Sequence, residues 1–146
     1  MNSIVKVDWD SKLPIYEISH LKLHKEGIKS LLIDVDGTLL SRQSSVIPAN
    51  VKKWIKESKK LFSLYLISNN PSKERIRRIA MELDIRYKSN AQKPRKKITL
   101  DVIAEMNEDS KNIAIIGDRI FTDVIVGNRC NIPVSYTHLR AHETSP

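Results

Sequence analysis

Ser30-Leu31-Leu32-Ile33-Asp34-Val35-Asp36-Gly37-Thr38-Leu39 is the stretch that decides the fold, because an apolar run ends there in two carboxylates and a glycine turn. Its apolar part, SLLIDV, predicts the first strand of a parallel sheet. In an open parallel sheet, ligands bind beyond the carboxyl ends of the strands. Asp34 and Asp36 are therefore expected at the functional edge. Two carboxylates so close repel each other, and if both stay ionised they call for a cation.

The sequence around this stretch alternates apolar, β-branched runs with amphipathic segments, which is typical of strands and crossover helices in an α/β fold. Further strands are predicted at LFSLYLI (61–67) and NIAIIG (112–117), with a short IRYK (85–88) between them. Helices are predicted after Pro48, after Asn70-Pro71 and after Pro94, and a fourth from about Phe121 towards Arg129. Spacings of three and four residues mark their core faces: Val51, Trp54 and Ile55; Ile76, Ile79, Ala80 and Leu83; Val102, Ile103 and Met106.

Length and composition restrict the class of protein. A chain of 146 residues is long enough for one domain with a real core and too short for two ordinary ones. No apolar run approaches the length of a membrane span, and the amino terminus has no secretory signal, so the expected compartment is the cytoplasm. A single cysteine, Cys130, excludes an internal disulfide framework and receives no role.

The predicted organisation has three parts. Residues 1–29 form an extension that packs on the core, with a short helix ending at Gly27, and residues 30–134 form the core. Residues 135–146 carry SYTHLRAHETSP, a polar run that looks like a translated cloning adaptor, so the fifth strand is expected to be truncated and the last strand of the natural chain missing. His20 and His24, four apart, are interpreted as incidental residues of a solvated helix face rather than metal ligands, because no third ligand follows. The histidines of the tail are discounted too.

Other polar residues fall where the predicted strands end. Ser68-Asn69-Asn70 supplies a hydroxyl, amides and a helix amino terminus, all suited to a phosphate. Lys93, in Gln-Lys-Pro, adds an ammonium, and Asp118 and Asp123 follow the later strand. Each element alone is an ordinary turn, helix start or loop. Four of them in order, each at a strand end or helix start, indicate one site.

The set of motifs resembles a known superfamily. DVDGTL, the Ser of ISNN, the Lys of QKP and the GDRIFTD stretch look like the four motifs of the haloacid-dehalogenase (HAD) phosphatases, in order, from Leu31 to Asn131. More narrowly, LPIYEIS, GIKSLLIDVDGTLL, ISNN, KP and GDRIFTDVIVGNR resemble the YqeG-type HAD-IIIA phosphatases, whose eukaryotic relatives dephosphorylate phosphatidylglycerophosphate. Gly37 stands where we expect Asn in that subfamily. The resemblance implies a Rossmann-like three-layer HAD core without a cap domain.

The same resemblance implies a role for each matching residue. Asp34 would be the nucleophile, and Asp36 would be the general acid and base, with its backbone carbonyl on the metal. Ser68 and Lys93 would bind the phosphoryl oxygens. Mg²⁺ would be held by Asp34, Asp36 and Asp118. The supporting residues would be Thr38, Asn69 and Asp123.

Segment lengths and charge bear on the substrate. Between the motifs there is room for one helix and one strand at a time, so no cap can be fitted and a bulky substrate is favoured: a phospholipid headgroup, a nucleic-acid end or a phosphoprotein. A net charge of +8 suits an anionic membrane surface, and aromatic residues at 5% argue against a nucleic-acid platform. A phosphatase of soluble sugar or nucleotide phosphates, a receiver-like phospho-Asp signalling domain and an inactive fragment remain as alternatives.

Overall fold

A computed structural model describes residues 13–68, 70–89, 95–117 and 134–136. The strands are β1 (Ser30–Asp34), β2 (Ser63–Ile67), β3 (Arg86–Lys88), β4 (Ile113–Gly117) and β5 (Val134–Tyr136). The helices are α1 (His20–Lys25), α2 (Ala49–Lys59), α3 (Lys73–Leu83) and α4 (Arg95–Met106), with short 3-10 turns at Ile15–Glu17 and Ser110–Asn112.

The sheet is parallel throughout, in the order β3-β2-β1-β4-β5. All five residues of β1 are buried, as expected for the central strand of a sheet covered on both faces. Asp34 is in register with Ile67, and Ile33 with Ile116, so β1, β2 and β4 end at one edge. The predicted α/β, Rossmann-like parallel fold is confirmed, and the part of the chain that the structure describes contains no cap domain.

The fifth strand is short, as expected of a truncated strand. β5 has three residues and pairs in parallel with β4, with Ile115 opposite Val134. Ser135 and Tyr136, which belong to the segment predicted to be a non-native tail, take part in it. Backbone pairing with a central strand does not need the alternating side chains by which a strand is recognised in sequence.

The helices bury the faces that their spacing predicts. On one side of the sheet, Leu31 and Ile33 pack in a cluster with the buried residues of α2 and α3. On the other side, Leu32 packs with Val102 and Met106 of α4, and Ile103 is only partly buried against them. The result is three layers, because successive side chains of β1 point to opposite faces. The predicted helix from about Phe121 lies outside the described residues.

The segment before β1 packs on the same core. Ile15 and Leu23 are fully buried, and Trp54 of α2 donates its indole N–H to the Ile18 carbonyl at 3.0 Å. His20 stacks on the Trp54 ring at 4.6 Å between centroids and lies 2.6 Å from the Ser58 hydroxyl. These contacts give His20 a structural role in joining α1 to α2.

Candidate active site

Asp34 ends the central strand and is 3% exposed. Its Oδ1 accepts a hydrogen bond from the Val35 amide at 2.9 Å. A carboxylate at the end of the middle strand lies where an open α/β sheet binds its ligands. The prediction that β1 delivers Asp34 to this edge agrees with the structure.

A tight turn follows Asp34. The amides of Thr38 and Leu39 donate to the Val35 carbonyl at 3.1 and 2.9 Å, and the Gly37 amide donates to the Leu40 carbonyl at 2.8 Å. Gly37 has φ +84°, a conformation that L side chains rarely adopt. The positive φ that this turn requires explains why the DVDGTL motif has a glycine at this position.

Thr38 is fully buried in this turn. Among the described residues, its Oγ1 has no hydrogen-bond partner. A buried hydroxyl without a hydrogen-bond partner costs free energy, and a catalytic role is one reason for which such a group occurs in a native structure.

Ser68 follows β2 at the same edge and is 1% exposed. Its amide donates to the Lys88 carbonyl at 3.1 Å, which extends the pairing of β2 with β3 by one step. Its hydroxyl accepts from the Asn70 amide at 2.9 Å. Asp34 is in register with Ile67, and Ser68 is the next residue after Ile67. Ser68 therefore lies one position beyond Asp34 along the neighbouring strand.

Asp36 is engaged at both carboxylate oxygens. Arg75 donates to Oδ1 from Nε at 3.1 Å and from Nη2 at 2.7 Å, and the side-chain amide of Asn70 donates to Oδ2 at 2.9 Å. The Arg75 and Asp36 side chains are 14% and 9% exposed, so this ion pair is largely shielded from water. Asp36 is therefore held in one orientation.

Arg75 also connects α3 to the loop after β1. Its Nη1 donates to the Ser44 carbonyl at 2.6 Å and its Nη2 to the Ser41 carbonyl at 3.0 Å. The sequence places Asn70 at this edge as an amide suited to a phosphate, but it does not indicate that Asn70 or Arg75 contacts Asp36. The signal for Arg75 in the sequence is its place in the first turn of the helix that starts at the site edge.

Four predicted site residues lie outside the described part of the chain. Asn69, Lys93, Asp118 and Asp123 therefore stay predictions, although Gly117 ends β4 directly before Asp118.

The described part of the site supplies some of the oxygen ligands that Mg²⁺ would need. Over residues 13–68, 70–89 and 95–117, no group of three His, Cys, Asp or Glu side chains could hold a metal ion. The Asp34 carboxylate and the Asp36 carbonyl are hard oxygen donors of the kind Mg²⁺ prefers, and a third carboxylate would have to come from elsewhere. Arg75 and Asn70 engage the side chain of Asp36, which leaves its carbonyl as the group suited to a metal.

A basic cleft of about 570 Å³ lies beside the site. We define it by its lining residues: Lys73, Glu74, Arg77, Tyr87, Lys88 and Ser89. The start of α3 and the carboxyl end of β3 both contribute, so the cleft opens at the same edge of the sheet as Asp34. Arg77 pairs with Glu74 at 2.7 Å, and the hydrogen bond from Arg77 lowers the pKa of that carboxyl. Lys73 and Lys88 are exposed and give the cleft a net positive charge.

Comparison with known proteins gives one family. The sequence model of the family described as Mitochondrial PGP phosphatase matches residues 2–138. The chain is 27% identical over 115 residues to a probable phosphatase, YqeG, of Bacillus subtilis strain 168, covering 79% of this chain and 67% of that protein.

Solved structures give the same fold at low identity. A hypothetical protein of Xanthomonas campestris superposes with a TM-score of 0.59 at 16% identity, covering 82% of this chain and 70% of that one. A HAD family enzyme of Bacteroides thetaiotaomicron, in complex with magnesium and inorganic phosphate, superposes with a TM-score of 0.53 at 13% identity, covering 75% of this chain and 93% of that one.

Proposed function

The chain belongs to the mitochondrial PGP phosphatase family and is a HAD-type phosphatase, and from that premise we propose that it hydrolyses phosphatidylglycerophosphate, or another bulky anionic phosphomonoester, through a phosphorylated Asp34. The observation that carries the proposal is the pairing of a buried Asp34 at the end of the central strand with an oriented Asp36 two residues later. One carboxylate suits a nucleophile and the other suits a proton carrier.

The first half of the reaction transfers the phosphoryl group to the enzyme. An Asp34 carboxylate oxygen attacks phosphorus, the bond from phosphorus to the ester oxygen breaks, and Asp36 gives its proton to the departing alkoxide. In the second half, water attacks the aspartyl-phosphate, Asp36 takes a proton from that water, and the P–O bond to Asp34 breaks. Inorganic phosphate leaves and both aspartates return to their starting states.

Ser68 and Lys93 supply positioning and charge. The Ser68 hydroxyl already accepts one hydrogen bond from the Asn70 amide, and its own proton can be donated to a phosphoryl oxygen. An ammonium at Lys93 would stabilise the same oxygens. Phosphoryl transfer depends mainly on such positioning and electrostatics.

Mg²⁺ would be held by the Asp34 carboxylate, the Asp36 carbonyl and the Asp118 carboxylate. When bound, it would supply positive charge that offsets the repulsion between carboxylates and an anionic substrate. Two unit charges ~4 Å apart interact by about 4 kcal/mol at an effective dielectric near 20, which is large enough to decide whether a phosphate binds.

An edge of the sheet without a cap domain would admit a large substrate. From β1 to β3 the chain contains only α2 and α3 besides the strands, so that part of it holds no cap domain. A substrate that provides its own cover fits such a site better than a small metabolite that must be enclosed. The basic cleft at the same edge of the sheet favours a substrate that carries a further anionic group.

The positive charge of the basic cleft would also favour contact with an anionic membrane surface. No helix within the described residues has the length and apolar character to cross a bilayer. Basic residues near an anionic surface contribute on the order of 1 kcal/mol each, and salt weakens this attraction. We therefore propose that the protein reaches a lipid substrate from the membrane surface.

The test is a salt titration on two substrates. Hydrolysis of phosphatidylglycerophosphate in anionic vesicles should fall steeply as ionic strength rises, whereas hydrolysis of p-nitrophenyl phosphate should change little. Both activities should disappear with a chelator and return with Mg²⁺. Parallel salt curves, or faster hydrolysis of a soluble sugar phosphate, would contradict the lipid assignment. Full activity after exhaustive chelation would contradict the metal.

A matched pair of variants tests the cleft itself. Lys88→Gln removes a cation at the carboxyl edge, and Lys60→Gln removes an exposed cation after α2, at the opposite edge where β2 begins. Lys88→Gln should lower activity on vesicles more than on p-nitrophenyl phosphate, and Lys60→Gln should affect both less. Equal effects of the two variants on vesicle activity would mean that only overall charge matters.

A further inference from the structure

We infer that Arg75 is a positioning residue for proton transfer at Asp36, because its guanidinium occupies Oδ1 and leaves Oδ2 as the oxygen that exchanges the proton. The inference rests on the proposed function, since it takes Asp36 as the acid and base of a phosphatase. It adds a specific atom and a residue that sequence motifs do not contain.

The two carboxylate oxygens of Asp36 differ in the number of hydrogen bonds that they accept. Oδ1 receives two N–H groups of Arg75, at 3.1 and 2.7 Å, whereas Oδ2 receives one from Asn70 at 2.9 Å. Each carboxylate oxygen has about two acceptor sites. Oδ1 is therefore filled, and Oδ2 retains one site for a leaving-group oxygen or a water.

Arg75 is itself fixed, so it can fix Asp36. The carbonyls of Ser41 and Ser44 accept two further bonds from the guanidinium, at 3.0 and 2.6 Å. The Arg75 amide lies in the first turn of α3, where it donates to the N-cap hydroxyl of Ser72 at 3.3 Å. The planar guanidinium is hydrogen-bonded to these two carbonyls and to Asp36, so it holds the Asp36 carboxylate in one orientation. A lysine ammonium has no planar arrangement of donors and could not orient the carboxylate in this way.

Arg78 offers a matched control. It lies one turn further along α3 and contacts the same loop, with Nη1 3.3 Å from the Ser45 carbonyl, but within the described part of the chain its exposed side chain forms no hydrogen bond or ion pair with Asp36. Loss of Arg78 therefore weakens the hold of the helix on the loop without touching the carboxylate. Arg75→Met and Arg78→Met together separate positioning of Asp36 from anchoring of the loop.

The test uses phosphomonoesters that differ in their need for an acid. An alkyl ester such as glycerol phosphate has a poor leaving group, whereas p-nitrophenolate leaves readily without a proton. Arg75→Met should lower kcat/KM by ~10²-fold on the alkyl ester but by less than about tenfold on p-nitrophenyl phosphate, in line with the usual worth of general acid catalysis. Arg78→Met should leave the ratio of the two substrates unchanged.

A double-mutant cycle checks that Arg75 acts through Asp36. In an Asp36→Asn background, Arg75→Met should change kcat/KM on substituted phenyl phosphates by less than about twofold, because the residue has no proton carrier left to orient. Full additivity of the two losses would overturn the inference and assign Arg75 to direct substrate binding or to the fold.

Two further outcomes distinguish a failure of the Arg75 positioning role from a failure of the proposed phosphatase activity. Equal losses on both esters in Arg75→Met would overturn the positioning role while leaving the phosphatase intact. An inactive parent on every ester with Mg²⁺ present would overturn the proposed function and this inference with it. If Arg75→Met does not fold, Arg75→Lys carries the comparison: it keeps the charge, loses the fork, and should show the same leaving-group dependence to a smaller extent.

Discussion

Thr38→Val should stabilise the protein and impair catalysis at the same time. Thr38 is fully buried, and its hydroxyl has no partner among the described residues. Valine has the same branched shape with a methyl group in place of the hydroxyl. The substitution should therefore remove a desolvation penalty without opening a cavity.

The expected magnitude follows from the usual cost of a buried, unpaired polar group, which is about 1–3 kcal/mol. A methyl group in the same space keeps the packing, so we expect the free energy of unfolding to rise by about 1 kcal/mol. For a chain of this size that corresponds to roughly 3 °C in Tm. Turnover should fall, because the hydroxyl lies in the turn that carries Asp36.

Urea unfolding at equilibrium, with the m-value required to stay constant, measures the change in stability. Ser58→Ala is the matched control: that hydroxyl is also fully buried, but it donates to the Trp54 carbonyl at 2.9 Å and lies 2.6 Å from His20 Nε2. Its loss should destabilise the protein by ~1 kcal/mol. A Thr38→Val protein destabilised like Ser58→Ala would show that the Thr38 hydroxyl has a partner in the folded chain, which would refute the reasoning.

Three further predictions concern stability. Burial lowers the pKa of His20, against a smaller opposing effect of Glu57, so the folded state favours the neutral ring. The free energy of unfolding should therefore decline as pH falls below about 6.5, where the unfolded state binds a proton more readily. His20→Gln should make this decline shallower. Trp54→Phe leaves the Ile18 carbonyl without its donor and should lower the free energy of unfolding by about 1–3 kcal/mol, while kcat stays unchanged. Lys59 donates to carbonyls at the end of α3, so Lys59→Met should fray that helix and raise amide hydrogen exchange around it without altering KM.

The edge of the sheet could be predicted because strand ends are local features. Asp34 and Ser68 each follow an apolar run, and a parallel sheet brings such ends together whatever the details of packing. The buried faces of α2 and α3 could be predicted for the same reason, because spacings of three and four residues in the sequence define one side of a helix.

The partners of Asp36 could not be predicted, because they depend on a contact between α3 and the turn after β1. In sequence, Arg75 looks the same as Arg77 and Arg78, which lie on the same short helix. Arg77 pairs with Glu74 at the surface, whereas Arg75 reaches a carboxylate 39 residues earlier in the chain. Only the tertiary structure separates a solvated cation from one that orients a proton carrier.

The identity of the phosphorylated residue tests the central claim most directly. Protein quenched in acid during turnover with Mg²⁺ and substrate can be treated with borohydride, which reduces an aspartyl-phosphate, and the modified residue can be located by mass spectrometry. The account predicts modification at Asp34 in the parent, and neither modification nor turnover in a folded Asp34→Asn variant. Modification at another residue, or turnover by Asp34→Asn above a few per cent of the parent, would contradict it.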